Sequence, residues 1–405
     1  MMTNEARPRI SVTADFWDHL PFDVRGEAFL ADPYPFYETL RTTEPVTPFA
    51  GGGVLAVTGY HAALAVLGDR RFGLGDGALE SQSFVLVDPP EHRRRRARVS
   101  GPFTARAVER LRPMIRHRTA ALVSAAAVRG EVEVVADLAV PLALELICAL
   151  VGVPLEDRAQ WYGALPALSF GFTPAALLDE ESLARLTTAR LDFARYLGAL
   201  IEDRRRAPRD DLVSALVAPG ADGTVLTDQE VITGLGQLIV AGYEPTVHQM
   251  ANGLYALLRH PGQLARLRTD PSCVPAAVEE ALRYDPVLQV IARIALQDAD
   301  IGGRPIAAGT VVGILAGAAN RDPEVFPDGH RLDITRSPHH LTLGHGEHFC
   351  LGAHLARVQA EALFSAVARC RPVLTGEPVR YRPQVFLREV ERLPVVLTER
   401  AAEED

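Results

Sequence analysis

Along most of the chain apolar residues recur every three or four positions, the spacing that gives a helix one buried stripe. This period predicts helices over residues 102–128, 140–151, 180–206, 227–260, 275–284 and 350–370. Two-residue alternation is confined to three stretches, "GGGVLAVTG" from Gly51, "ARIALQDADIGGRPIAAGTVVGIL" from Ala292 and "VRYRPQVFLREVERLPVVLT" from Val379. Gly and Pro punctuate them as in small sheets. The expected fold is mainly α with minor β. No internal repeat breaks the pattern and the loops are short and even, so one domain is expected over residues 1–405.

The longest predicted helix, residues 227–260, opens on "TDQE", a capping box from Thr227 to Glu230, and stops at Pro261-Gly262. It is apolar on most sides, as a buried helix is. Pro245 stands in its middle. A proline there removes a backbone donor and crowds the carbonyl of Ala241, at a cost of about 3 kcal/mol. Such a cost calls for a compensating gain.

Composition narrows the function classes. The 405 residues are 48% hydrophobic and carry a formal net charge of −9, enough for a large core in a soluble protein. The basic count of 42 is entirely arginine, and without a lysine amine Walker-type phosphate loops, protein kinases, pyridoxal Schiff bases and serine–lysine hydrolases are excluded. Arg- and Ala-rich usage fits a GC-rich bacterial genome. The acidic balance disfavours a nucleic-acid partner. No apolar run near the start reads as a signal peptide, and no segment keeps about 18 apolar residues free of charge, so no membrane association and a cytoplasmic location are expected. Cys148, Cys273, Cys350 and Cys370 lie far apart and form no disulfide framework.

Cys350 differs from the other three. In "LTLGHGEHFCLGAHLARVQAEAL" a loop punctuated by glycines delivers it to the start of an apolar helix. Loop amides and the helix dipole favour a negative sulfur, and Gly344, Gly346 and Gly352 leave room for a flat, bulky group near the backbone. A zinc site is a competing reading, because His339, His340, His345 and His348 lie close by, but their spacing fits no common zinc pattern. An inert buried cysteine would leave the glycine spacing without a reason.

These residues resemble those of the soluble bacterial cytochromes P450, haem-thiolate monooxygenases, over nearly the whole chain. "LGHGEHFCLG" is similar to the family signature FGxGxHxCxG, with Leu343 in place of the usual Phe. "EEALRYDP" carries Glu280 and Arg283 in the ExxR arrangement, and "NRDPEVFPDGHRLDITR" resembles the family meander. The resemblance implies the P450 fold, with haem b between the long central helix and the cysteine-ligand helix. It implies Cys350 as the iron ligand and a buried Glu280–Arg283 ion pair of structural importance. His92 and Arg96 of "DPPEHRRRRARVSGPFT", together with Arg293 and His348, match the family's haem-propionate contacts. Arg93, Arg95 and Arg98 are then expected to face solvent, near the docking surface of an acidic electron-transfer partner.

The resemblance also sharpens the question of Pro245. The family's central helix commonly reads A-G-x-[ED]-T, an acid and an alcohol that help deliver protons to dioxygen. Here the residues are Ala241, Gly242, Tyr243, Glu244, Pro245 and Thr246. The acid is kept, the alcohol is replaced, and the nearest hydroxyl, Thr246, is displaced by about 100° around the helix. A substrate hydroxyl or water could fill the gap, Thr246 could rotate into it, or the chemistry could turn to peroxide. Fatty-acid peroxygenases of the superfamily share this proline but precede it with Arg, and Glu244 would repel the carboxylate that Arg holds. Gln237, Ala241 and Glu244 are expected on one haem-facing stripe, and Leu288, Ile291 and Phe386 match pocket-lining regions of the family. The stretch between Phe72 and His92 is short for a substrate-covering loop, which suits a bulky or carrier-tethered substrate.

The expected function is hydroxylation, epoxidation or oxidative coupling of a small or medium organic substrate in bacterial secondary metabolism. Electrons would come from a ferredoxin and its NAD(P)H-dependent ferredoxin reductase. The alternatives are a haem-thiolate peroxygenase, or a non-catalytic homologue that helps another enzyme.

Overall fold

The chain is described by a computed structural model over residues 23–49, 53–75, 85–173, 175–220 and 223–397. Helix α1 (Glu91–Val99) carries the arginine run and leads through a short turn into α2 (Ala105–Arg129), whose first turn is capped by the Thr104 hydroxyl accepting from Ala107 N–H. Then follow α3 (Val140–Val151), α4 (Glu180–Arg206) and α5 (Asp228–Leu258). The Asp179 carboxylate caps α4, and the reciprocal Thr227–Glu230 box caps α5. Both satisfy amides that a helix start leaves without partners.

At 31 residues α5 is about 46 Å long, continues unbroken through Pro245, and is buried over most of its second half. It packs against α3, α4, α6 (Val274–Tyr284) and α7 (Ala353–Arg369). Two glycines set how closely. A β-carbon at Gly242 would come within 2.6 Å of Ile147 Cδ1 on α3, and one at Gly253 within 2.4 Å of Phe364 Cζ on α7. These are packing glycines on an ordinary helix, not turn glycines.

Together with its π-helical lead-in, α3 forms an 18-residue stretch, Val134–Val151, long and apolar enough to cross a membrane by length and composition. It carries Asp137 and Glu145, and 61% of it is buried inside the protein, where it lies against α5. Core packing accounts for its hydropathy.

The β-structure stands to one side of the helices. Strands β1 (Val46–Phe49), β2 (Val54–Val57), β3 (Phe72–Gly73), β4 (Val290–Ala295) and β5 (Val311–Leu315) form one sheet in the order β1-β2-β5-β4-β3. Only the β2–β5 pairing is parallel. Glu131–Glu133, Pro394–Val396 and Val373–Leu374 make a second sheet, and Ala299–Ile301 with Arg304–Ile306 a hairpin.

Glu280 and Arg283 on α6 are fully buried and joined by two 2.7 Å bonds, the bidentate geometry that guanidinium and carboxylate favour. Arg283 also donates to the carbonyls of Asn320, Gly329 and Arg331, and Glu280 accepts from Asp333 N–H. One helical turn thereby holds the whole irregular segment that precedes the Cys350 loop.

Candidate functional site

The Cys350 loop is shaped by its backbone. Gly344 and Gly346 adopt φ of 73° and 70°, and a side chain at Gly346 would also strike Leu67 O at 2.6 Å. Both positions require glycine. Gly352 is different: its φ is ordinary and a β-carbon there would meet no protein atom within 4 Å, so it borders open space. Cys350 N–H donates to Leu343 O at 2.8 Å, and the cysteine sits just ahead of α7, with Gly352 as N-cap. Burial raises the Cys350 thiol above its ordinary value; the Gly352 amide, Arg96 and Arg357 oppose this without cancelling it. A sulfur so placed is held neutral by burial until a cation binds it.

Four nitrogen-bearing side chains converge on this loop from three elements. His92 and Arg96, four residues apart on α1, meet His348 of the loop and Arg293 of β4. The His92 and His348 rings lie 4.2 Å apart, and Arg96 Nη2 donates to Phe349 O at 2.7 Å. His92 is buried with neither ring nitrogen partnered, and His348 Nε2 is likewise buried and unpartnered. Arg293 is 7% exposed and, among the described residues, donates only to its own neighbour, Ala292 O. Burial pushes the Arg293 guanidinium down to about 10, with Asp88 opposing, and burial followed by the charges of Arg293, His92 and Arg96 pushes His348 down to about 3. Among the described residues none of the four has a carboxylate at ion-pair distance. Buried polar groups without partners are rare and costly, so this is a cradle built for an anion. With a soft sulfur beside it and open space at Gly352, the set fits a flat, dianionic, metal-bearing group such as haem.

The arginine run is more engaged than the sequence implies. Arg93 is exposed and pairs with Glu347, which Arg70 also reaches. Arg95 is not solvent-facing: its side chain is 15% exposed and lies near Glu91 and Glu230. Arg98 donates to the carbonyls of Ala215, Leu216, Ala218 and Thr224, closing the end of the short helix Leu212–Val217. Exposed carbonyls at a helix terminus attract guanidinium, which corrects the expectation for Arg98.

Glu244 also departs from expectation. Its carboxylate is 2% exposed and does not join Gln237 on a cavity-facing stripe. It accepts from Arg382 Nη1 at 2.5 Å and lies 3.5 Å from His248 Nε2. Arg382 Nη1 is also 3.2 Å from Glu389 Oε2, and His248 Nδ1 is 3.0 Å from Val390 O. A carbonyl only accepts, so Nδ1 bears the hydrogen and Nε2 is left facing Glu244. Burial alone would raise Glu244, but His248 and Arg382 outweigh it and hold the carboxyl below its ordinary value. Burial instead keeps Glu389 above its own, helped by the negative charge of Glu244. Glu244, His248 and Glu389 offer ligand atoms within 4.8 Å of one another, a spacing a metal ion could use. Arg382 already supplies the cation to both carboxylates.

Sequence reasoning missed His248, Arg382 and Glu389. His248 was within reach, one turn from Glu244 on the same helix. Arg382 lies 138 residues from Glu244, and no local pattern joins them.

The remaining positions divide. Pro245, Ala241 and Thr246 are half-buried, and Thr246 lines a small apolar cavity with Val278, Leu282 and Phe364, away from the Glu244 cluster. Gln237 lines a cavity of about 290 Å³ between α4, α5 and the turns around Leu168 and Phe172. Leu288, Ile291 and Phe386 do not line it. Gln289 N–H donates to Phe386 O and Leu288 pairs with Leu387, so the two segments adjoin. Ile291 packs with Leu55 and Ile314, whereas Phe386 packs with Leu40 and Phe49. Residues 76–84 of the short loop before His92 lie outside the described residues.

Comparison with known proteins bears on about nine-tenths of the chain. The Cytochrome P450 family profile matches residues 168–369. Cytochrome P450 monooxygenase PikC of Streptomyces venezuelae is 40% identical over 395 residues, covering 91% of this chain and 92% of that protein. The biotin biosynthesis cytochrome P450 of Bacillus subtilis is 37% identical, covering 91% and 96%. The crystal structure of P450BioI in complex with hexadec-9Z-enoic acid ligated acyl carrier protein superposes with a TM-score of 0.84 at 35% identity, covering 91% of this chain and 99% of that one.

Proposed function

The chain belongs to the cytochrome P450 family, and on that premise we propose that Cys350 ligates its haem iron while Glu244 supplies protons from the distal helix. The protein is a haem-thiolate monooxygenase. The haem, when bound, supplies the oxidising chemistry: one atom of O2 enters the substrate and the other leaves as water, with two electrons and two protons taken up. The chain's own residues bind, orient and protonate. His92, Arg96, Arg293 and His348 would hold the propionates, giving His92 and His348 Nε2 the partners they lack and the two guanidiniums a carboxylate. Glu280 and Arg283 keep the segment that ends in Cys350 in place, and so have a structural role.

On the distal side the proton source is the four-member cluster. Glu244 Oε1 takes up a proton that arrives from solvent along the Arg382 side, where that side chain is 31% exposed, and passes it inward; Arg382 and His248 then steady the carboxylate that remains. Pro245 has no N–H, so the carbonyl of Ala241 is free to hold water or a substrate hydroxyl beside that route. Thr246 stands as a secondary hydroxyl. Gln237 contacts substrate in its cavity; Ala241, Leu288, Ile291 and Phe386 lie outside that cavity.

The cradle beside Cys350, two guanidiniums with no carboxylate at ion-pair distance among the described residues and two histidines with unpartnered ring nitrogens, is the observation that carries this reading. Its test is the carbon-monoxide difference spectrum of the reduced protein. Wild type is expected to show the thiolate-type Soret band and Cys350→Ala to lose it; an unchanged band in the variant would overturn the ligand assignment.

Electrons come from a ferredoxin and its NAD(P)H-dependent reductase, docking where Arg70 and Arg93 share the one carboxylate of Glu347 and leave a net positive surface near the Cys350 loop. The substrate is an organic molecule of secondary metabolism, free or tethered to a carrier, oxidised in the cytoplasm. Pro245 favours a second reading, peroxide-driven oxidation; turnover with hydrogen peroxide in place of the reductase, at a rate equal to or above the O2-dependent one, would select it.

A further inference from the structure

The cavity beside Gln237 holds a charge that the proton cluster and the haem cradle do not use. It extends along three turns of α5, from Gln229 to Val240, about 16 Å of helix. Its walls are apolar, with Phe172, Phe193 and Ile232 prominent, except for an uncharged polar stripe, Gln229, Thr233 and Gln237, spaced four residues apart on one helix face. The single ionic side chain among its described lining residues is Arg190 on α4. Arg190 is exposed and lies at the cavity's solvent edge, folded over Gly171: a β-carbon there would sit 3.2 Å from Arg190 Nη2. Partial burial holds its guanidinium below the ordinary value, with no carboxylate opposing the shift among the described residues. A guanidinium that closes over an apolar cavity without an acid of its own is placed to receive one.

We propose that this pocket selects an apolar substrate bearing one anionic group, a carboxylate or a phosphate ester, which Arg190 holds at the rim while the apolar body lies along α5. The proposal rests on the monooxygenase reading and names its substrate class. Glu244 does not disfavour such a substrate as expected from sequence, because Arg382 and His248 offset its charge.

The test is binding to the haem-loaded protein, followed by calorimetry and by the Soret shift on displacement of the distal water. The probes are a straight-chain carboxylic acid, the primary alcohol of equal length and its methyl ester. The acid is expected to bind about 10- to 100-fold tighter than the other two, the range for a charge-assisted hydrogen bond. Arg190→Gln should abolish that preference while leaving alcohol and ester affinities within about twofold. Arg195→Gln, on the same helix but paired with Asp192, should change none of the three. The same acyl group presented as a thioester on an acyl carrier protein separates the two anion sources, since only the carrier's phosphate remains. Binding that Arg190→Gln weakens identifies the phosphate, and binding of the free acid alone identifies the carboxylate. Equal affinity for acid and ester in wild type, or loss of all three probes together in Arg190→Gln, overturns the proposal. So does no binding of any probe when the carbon-monoxide band is intact; absence of that band would instead sink the monooxygenase reading.

Discussion

Glu244 illustrates how much a single residue's meaning depends on its partners. An isolated carboxylate on a buried helix face would be neutral at neutral pH; with Arg382 at 2.5 Å and His248 at 3.5 Å it is held ionised. That favours a group which returns to the same charge state after each transfer. Glu244→Ala is expected to lower O2-dependent turnover by about 10²- to 10⁴-fold, the range for a positioned proton donor, while substrate binding read by the Soret shift stays near wild type. His248→Asn removes one of the groups that hold the Glu244 carboxyl below its ordinary value but keeps a polar side chain of similar size. It should lower turnover less and change the shape of the pH–rate profile, an effect that loss of packing alone would not produce. Unaltered turnover in Glu244→Ala would remove the cluster from the mechanism.

At the scale of elements, α5 carries two departures from an ideal helix and keeps its continuity. Gly242 and Gly253 draw it onto α3 and α7, and that packing offsets the hydrogen bond missing at Pro245. Pro245→Thr restores both an N–H for Ala241 and the family's hydroxyl. On helix propensity alone it should stabilise the protein by about 2 kcal/mol, read as a rise in thermal midpoint. It should also raise the share of NAD(P)H electrons recovered in product. A stable variant with poorer coupling would mean that substrate or water already occupies the place of the hydroxyl. The element bounds were largely written in the sequence. Val140–Val151 and Glu180–Arg206 begin and end where the apolar period does, and the Thr227 box starts α5 as its residues require. The sheet order was not legible, because β2 joins β5 across more than 250 residues and both are short apolar runs without a distinguishing pattern.

Over the whole molecule, residues legible one by one acquire their chemistry from long-range neighbours. The ExxR pair and the Cys350 loop announce themselves by spacing, and His92 and Arg96 by sharing a helix face. The want of a carboxylate at ion-pair distance from those groups among the described residues, and the Arg382 side of the proton cluster, exist only once the chain is folded. Ion pairs between helices also set the response to pH. Glu279 on α6 binds Arg357 on α7 through two bonds of 2.6 and 2.9 Å, with His340 at 3.3 Å. Burial would raise its carboxyl, but His340 and Arg357 prevail and hold it at about 2. The folded value lies below the unfolded one, so the contribution is complete above about pH 4.5 and fades as the pH falls toward about 2. In urea unfolding at neutral pH, Glu279→Gln should cost about 2 kcal/mol, and its gap from wild type should narrow through that acid window. A gap independent of pH would show that the pair contributes by shape alone. The Arg382–Glu244 contact has a further consequence, in the order of synthesis. Glu244 leaves the ribosome well before Arg382, which follows it by 138 residues, and before Glu389 and Val390. Until that segment docks, the helix holds an acid without the Arg382 guanidinium opposite it, so the surroundings of α5 are completed only by residues made much later. A chain stopped short of Arg382 would keep every signature motif and still lack the charge balance on which its distal acid depends.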